Sequence, residues 1–154
     1  MAFDNGRVNW DLRAVDVAEL IARESIRDTI ARYAHFADSA RFAELVQLFT
    51  EDGVMAIQGR EPLAGRAAIL AFVTGVKESR QSDAPRIFIR HNVGSTRIEL
   101  TAADEARSSS YYFAITERGP DHWGRYRDLL VRVGDVWLFR ERKVSIDGRR
   151  GQEA

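Results

Sequence analysis

Apolar positions recur along the 154 residues at two different spacings, and the change between them divides the chain. From Asp16 the spacing is helical. Ile26, Ile30, Tyr33, Ala34 and Ala37 share one face, with Asp28 and Arg32 on the other. Asp38 or Ser39 then starts a second helix, "ARFAELVQLF", in which Phe42, Leu45, Val46 and Phe49 share a face, and "EDG" at 51–53 ends it. "VMAIQ" reads as a short strand and "GREPLAG" as a loop. "RAAILAFVTGVKE" reads as a third helix with Ile69, Phe72, Val73 and Val76 on its apolar side. The polar "SRQSDAP" is a connection.

From Ile87 the period drops to two. Strands are predicted over about 87–100, 105–118, 122–133 and 136–146, joined at "RGPD" and "VGD", a spacing that indicates antiparallel hairpins. In the first, Ile87, Ile89, His91 and Val93 alternate on one face. After Gly94 the apolar phase moves to Ile98 and Leu100, which predicts a bulge near Gly94 and Ser95. The expected fold is α+β: three N-terminal helices inside a curved, mixed or antiparallel sheet that wraps them as a cone and encloses a pocket. Residues 1–13 read as an N-terminal arm, 14–148 as one domain and 149–154 as a disordered tail. On the last strand Trp137 and Phe139 oppose Leu138, Arg142, Val144 and Ile146. Both faces are thus apolar, and a homodimer or higher oligomer through the sheet is expected.

Composition removes several classes of function. Hydrophobic residues make up 45% and charged residues 30%, and the 23 basic and 23 acidic residues cancel, which argues against a nucleic-acid partner. With no cysteine there is no disulfide, thiolate metal site or cysteine nucleophile. No apolar run approaches the ~18 residues of a membrane span, and "MAFDNGRVNWDL" is too polar for a signal peptide, so a cytoplasmic protein without a membrane partner is expected. The three histidines lack HxH or HExxH spacing, and no G-x-G-x-x-G, Walker or G-x-S-x-G motif occurs. Neither metal nor nucleotide cofactor is expected.

The candidate chemistry is then short. His91 shares the inner face of its strand with Ile89 and Val93; it is either a core histidine bonded to backbone or hydroxyl, or a base in an apolar pocket. Asp38 lies at the edge of the helical stripe, where it either caps the next helix or reaches inward. A helix C-terminus favours cations, so an aspartate there needs a reason. His35 projects away from the stripe, and His122 is a rim residue or a strand start. Tyr33, Tyr111, Trp123 and Tyr126 are candidates to line a substrate pocket, and Arg142, on an apolar face, is either snorkelling or paired with an anion.

"IRDTIARYAHFADSARFAELVQLFTEDGVM", "GRAAILAFV", "RHNVGSTRIEL", "GRYRDLLVR" and "WLFRERKVSIDG" together resemble the SnoaL-like branch of the nuclear transport factor 2-like superfamily, over about residues 14–148. The chain is similar at key positions to two enzyme types there, scytalone dehydratase and hexachlorocyclohexane dehydrochlorinase. The resemblance implies a catalytic pair of Asp38 and His91, and from the dehydrochlorinase a role for Arg142. It departs from both: Tyr33 stands where the dehydrochlorinase has a lysine, and Thr116 near where scytalone dehydratase has its second histidine. The expectation is a cofactor-free lyase or isomerase. In it His91 removes a proton from a small, mostly apolar, cyclic or polyketide-like substrate, Asp38 orients His91, and Arg142 or a tyrosine stabilises the leaving group or oxyanion. The alternative is a non-catalytic ligand-binding or assembly domain, like the small subunit of ring-hydroxylating dioxygenases.

Overall fold

The computed structural model describes residues 14–81 and 88–151. The expected arm at 1–13, Ile87, and 152–154 of the expected tail lie outside the described residues. Helix α1 (Val17–Asp38) opens on Asp16, whose carboxylate accepts the Glu19 N–H at 2.8 Å. Its stripe is buried as expected at Ile26, Ile30, Tyr33 and Ala34. At its end Arg41 N–H donates to Phe36 O at 2.8 Å and Ala40 N–H to Ala37 O at 3.3 Å, with Ala40 at φ 56°. This is a Schellman stop built on a non-glycine residue. Helix α2 (Phe42–Gln47) is shorter than expected and is preceded by Arg41, which makes no side-chain cap bond. The capping role considered for Asp38 is therefore wrong.

Strand β1 (Phe49–Ile57) begins earlier than the pattern suggested, and "EDG" lies inside it. Phe49 pairs with Phe139 and Val54 with Glu141, so several β1 residues bulge out between those pairs. Gly53 permits this: a Cβ there would sit 3.0 Å from Phe49 Cβ and 3.1 Å from Phe139 O. The expected loop holds a two-residue strand, β2 (Leu63–Ala64), and helix α3 (Arg66–Gln81) runs past its expected end.

Strands β3 (Arg90–Leu100), β4 (Glu105–Thr116), β5 (Gly119–Val133) and β6 (Val136–Arg149) follow as a meander. The sheet order is β2-β1-β6-β5-β4-β3, with only β1–β6 parallel. The architecture is the expected α+β cone, with an open rather than closed sheet. The helices cover its inner face, where Ile26, Ile30, Leu45, Val46 and Ile69 pack on Phe49, Met55, Ile98, Leu130, Trp137 and Phe139.

Two bulges set which side chains face inward. In β3 the register shifts between Gly94 and Arg97, with Ser95 at φ 50°, as the phase change predicted. In β6 Phe139 pairs with Leu130 but Glu141 with Leu129, leaving Arg140 as the extra residue. Trp137, Phe139 and Arg142 therefore all point inward and are buried. The expectation that Trp137 and Phe139 oppose Arg142 fails at this bulge, and with it the apolar outer face assigned to the last strand.

Candidate functional site

The end of α1 faces the start of β3. Asp38 Oδ1 lies 2.6 Å from His91 Nδ1, and Oδ1 and Oδ2 accept the His91 backbone N–H at 3.2 and 3.0 Å. Side-chain exposure is 16% for His91 and 10% for Asp38, so the pair is largely withdrawn from water. A carboxylate accepts only, so neutral His91 carries its proton on Nδ1, and Nε2 presents a lone pair away from Asp38. This answers why an anion ends α1. Its partners across the sheet offset the unfavourable helix C-terminus.

Two aromatic groups stand around His91. The His122 ring lies edge-on to it at 5.6 Å, and the Tyr112 ring at 6.4 Å. His122 Nδ1 is 2.7 Å from Asp121 Oδ2, so a second imidazole–carboxylate pair adjoins the first. Strand parity places both residues inside. On β5 the inner positions are even-numbered, Gly124, Tyr126, Asp128 and Leu130, which places His122 inside and Trp123 outside. On β4 Ser108, Ser110, Tyr112 and Ala114 are buried, and Tyr111 and Phe113 face out. Tyr111 and Trp123, also expected to line the pocket, stand on the opposite face of the sheet from the dyad, 62% and 42% exposed.

Tyr33, Tyr126 and Arg142 form a second inner cluster. Tyr126 stacks on Tyr112 at 4.3 Å, which links this cluster to the dyad. The guanidinium carbon of Arg142 lies 4.2 Å from the Tyr33 ring, 4.3 Å from Tyr126 and 4.1 Å from Phe139. Its Nε and Nη2 donate to Asp128 at 2.8 and 2.9 Å, and Ser108 Oγ donates to Asp128 at 3.1 Å. Burial opposes the charge on Arg142, but Asp128 outweighs it and the Arg142 pKa rises. Of the two readings offered for Arg142, pairing with an anion is the observed one. Burial pushes the Tyr33 pKa up against the lowering effect of Arg142. It pushes Tyr112 up to about 12 and Tyr126 well above the usual phenol value. All three are neutral hydrogen-bonding groups at physiological pH.

Two depressions, of about 370 and 400 Å³, lie on the outer face of the sheet. The first is lined by Tyr111, Phe113 and Trp123, and His91 lines neither. Among the described residues no group of three or more acidic or histidine side chains is placed to hold a metal ion. No helix among them is long and apolar enough to cross a membrane.

A model of the SnoaL-like domain matches residues 18–143. No curated protein matches the chain. A putative scytalone dehydratase from Novosphingobium aromaticivorans superimposes with a TM-score of 0.76 at 22% identity, over 89% of this chain and 91% of that one. A Catenulispora acidiphila protein solved in complex with S-DNPA gives 0.72 at 27% identity, over 83% and 95%. A Novosphingobium aromaticivorans NTF2-like protein with a cystatin-like fold gives 0.71 at 26%, over 90% and 95%.

Proposed function

The chain belongs to the SnoaL-like family, and on that premise we propose that it is a lyase or isomerase that works by proton transfer at His91. The observation that carries this reading is the 2.6 Å contact between Asp38 and His91 Nδ1. It joins residues 53 apart in sequence, withdraws both from solvent, and leaves Nε2 as the basic atom. His91 Nε2 takes a proton from carbon next to an activating carbonyl. The imidazolium that forms is stabilised by Asp38, which keeps its own negative charge, and it gives the proton back, to the departing hydroxyl in an elimination or to another carbon of the substrate in an isomerisation. Arg142 is committed to Asp128, so its charge is already neutralised. Its part is to hold the tyrosine layer, and the developing oxyanion falls to Tyr112, a neutral phenol whose ring lies 6.4 Å from that of His91 and whose O–H exchanges its long 3.4 Å bond to Ser145 O for the substrate oxygen. The aromatic character of the inner face suits a small, mostly apolar, cyclic or polyketide-like substrate.

The test is turnover of a bicyclic β-hydroxy ketone whose loss of water yields a naphthol. His91→Asn removes the base with little change in volume and should lower the rate by about 10²–10⁴-fold. Asp38→Asn should lose most of the rate as well. Full activity in His91→Asn would end the proposal. One observation favours the alternative, a non-catalytic binding or assembly domain: a depression of about 370 Å³ on the outer face is lined by Tyr111, Phe113 and Trp123. That reading predicts no turnover by the native chain and retention of an apolar ligand or a protein partner through purification.

A further inference from the structure

Among the described residues two buried side-chain polar atoms lack a hydrogen-bond partner, Thr50 Oγ1 and Arg142 Nη1. They differ in freedom. A hydroxyl can rotate, whereas a guanidinium whose Nε and Nη2 are both bonded to Asp128 cannot redirect its third nitrogen. In that planar fork Nη1 points away from the carboxylate. What surrounds it is aromatic: the guanidinium carbon lies 4.2 Å from the Tyr33 ring, 4.3 Å from Tyr126 and 4.1 Å from Phe139. Ring faces are weak acceptors, and a buried donor gains most from an oxygen. The same layer leads back to the dyad. Tyr126 stacks on Tyr112 at 4.3 Å with their planes 10° apart, and the Tyr112 ring lies 6.4 Å from that of His91.

We propose that Arg142 Nη1 is the donor of a second oxygen-binding subsite, and that the ligand it selects is a bicyclic dicarbonyl compound. The proposal rests on the reading that substrate lies against the inner face with its reacting end at His91. One carbonyl then meets Tyr112, the rings run along the Tyr112–Tyr126 stack, and the remote carbonyl accepts from Arg142 Nη1. Charge balance selects a carbonyl over a carboxylate or phenolate. Asp128 already neutralises Arg142, so an anionic ligand would bring an uncompensated charge into a fully buried site. A carbonyl brings acceptor lone pairs and no charge. A ligand with bare hydrocarbon at this end leaves Nη1 with ring faces alone. Arg142 thus both ties the aromatic layer to Asp128 and reads the far end of the substrate.

Two probes on one bicyclic frame test the subsite: dihydronaphthoquinone, with two carbonyls, and α-tetralone, with one. Calorimetric titration of the native chain should give dihydronaphthoquinone about 10-fold higher affinity or more, the gain from one hydrogen bond donated by a charged group. Arg142→Lys keeps a cation for Asp128 but lacks the third nitrogen of the fork, and there the two affinities should converge. If that variant does not fold by circular dichroism, the native chain supplies the second readout. NMR of protein labelled at the arginine side-chain nitrogens should show the Arg142 Nη1 resonance moving when dihydronaphthoquinone binds. Equal affinity of the native chain for the two probes would overturn the proposal. So would a preference that survives in folded Arg142→Lys, or an Nη1 resonance unmoved by the bound dicarbonyl, which would mark Arg142 as a packing group only. Binding of these probes needs no turnover, whereas loss of turnover in His91→Asn tests the base, so failure of the subsite and failure of the base give different results.

Discussion

Asp38 and Ala40 show how local cost is tied to site geometry. Ala40 adopts φ 56°, a conformation an alanine takes at about 1–2 kcal/mol, and it ends α1 at the turn where Asp38 meets His91. Ala40→Gly relieves the clash but adds unfolded-state entropy, so a net gain of up to about 1 kcal/mol is expected, read as a higher midpoint in thermal unfolding. No gain would mean the strain is absorbed elsewhere. His35, one turn earlier and exposed, should tolerate asparagine with activity unchanged in the same assay that stops His91→Asn. At this scale the sequence was partly legible. Inner parity for His91 came from Ile89 and Val93, but the partner of Asp38 depends on a contact across 53 residues that no local pattern encodes. The helix-capping alternative was chemically sound and failed only because the chain reverses through Ala40 first.

Helices and strands were readable to the extent that their periods stayed regular. The β3 bulge was visible because apolar residues flank it on both sides with opposite phase. The β6 bulge was hidden, because Leu138, Phe139 and Trp137 are all apolar and either phase looks acceptable. Its consequence is large, since it turns Arg142 into the same layer as Phe139 and Tyr126. That layer makes two predictions. Asp128→Ala leaves the fully buried Arg142 charge without its counterion and should cost about 3–5 kcal/mol in denaturant unfolding; a loss below one would mean Arg142 relaxes toward water. Burial also raises the folded pKa of Tyr33, Tyr112 and Tyr126 above the unfolded value of 10. The folded state then binds protons the unfolded state releases. This contribution is intact below pH 10 and is lost as pH rises toward about 12. Ultraviolet titration should show three of the four tyrosines ionising together with alkaline unfolding.

At the scale of the whole molecule, the described residues present an exposed aromatic cluster on the outer sheet face, where Tyr111, Phe113 and Trp123 are 62%, 50% and 42% exposed and Phe113 pairs with Trp123. The sequence reading expected association through the sheet but placed the surface on the last strand; the exposed aromatics lie on β4 and β5. A second copy is the expected occupant, and Phe113→Glu with Trp123→Glu should give a monomer in sedimentation at micromolar concentration, with the native chain heavier. Fold class was legible from the switch of apolar period alone, whereas which aromatics face the dyad depended on register. The central claim is that His91, oriented by Asp38, is a base acting on carbon. The measurement that tests it most directly is formation of naphthol from the bicyclic β-hydroxy ketone by the native chain and by His91→Asn, with circular dichroism to establish that both are folded. Naphthol above the buffer rate for the native chain, and none above it for His91→Asn, is the predicted result; equal rates in the two proteins would contradict it.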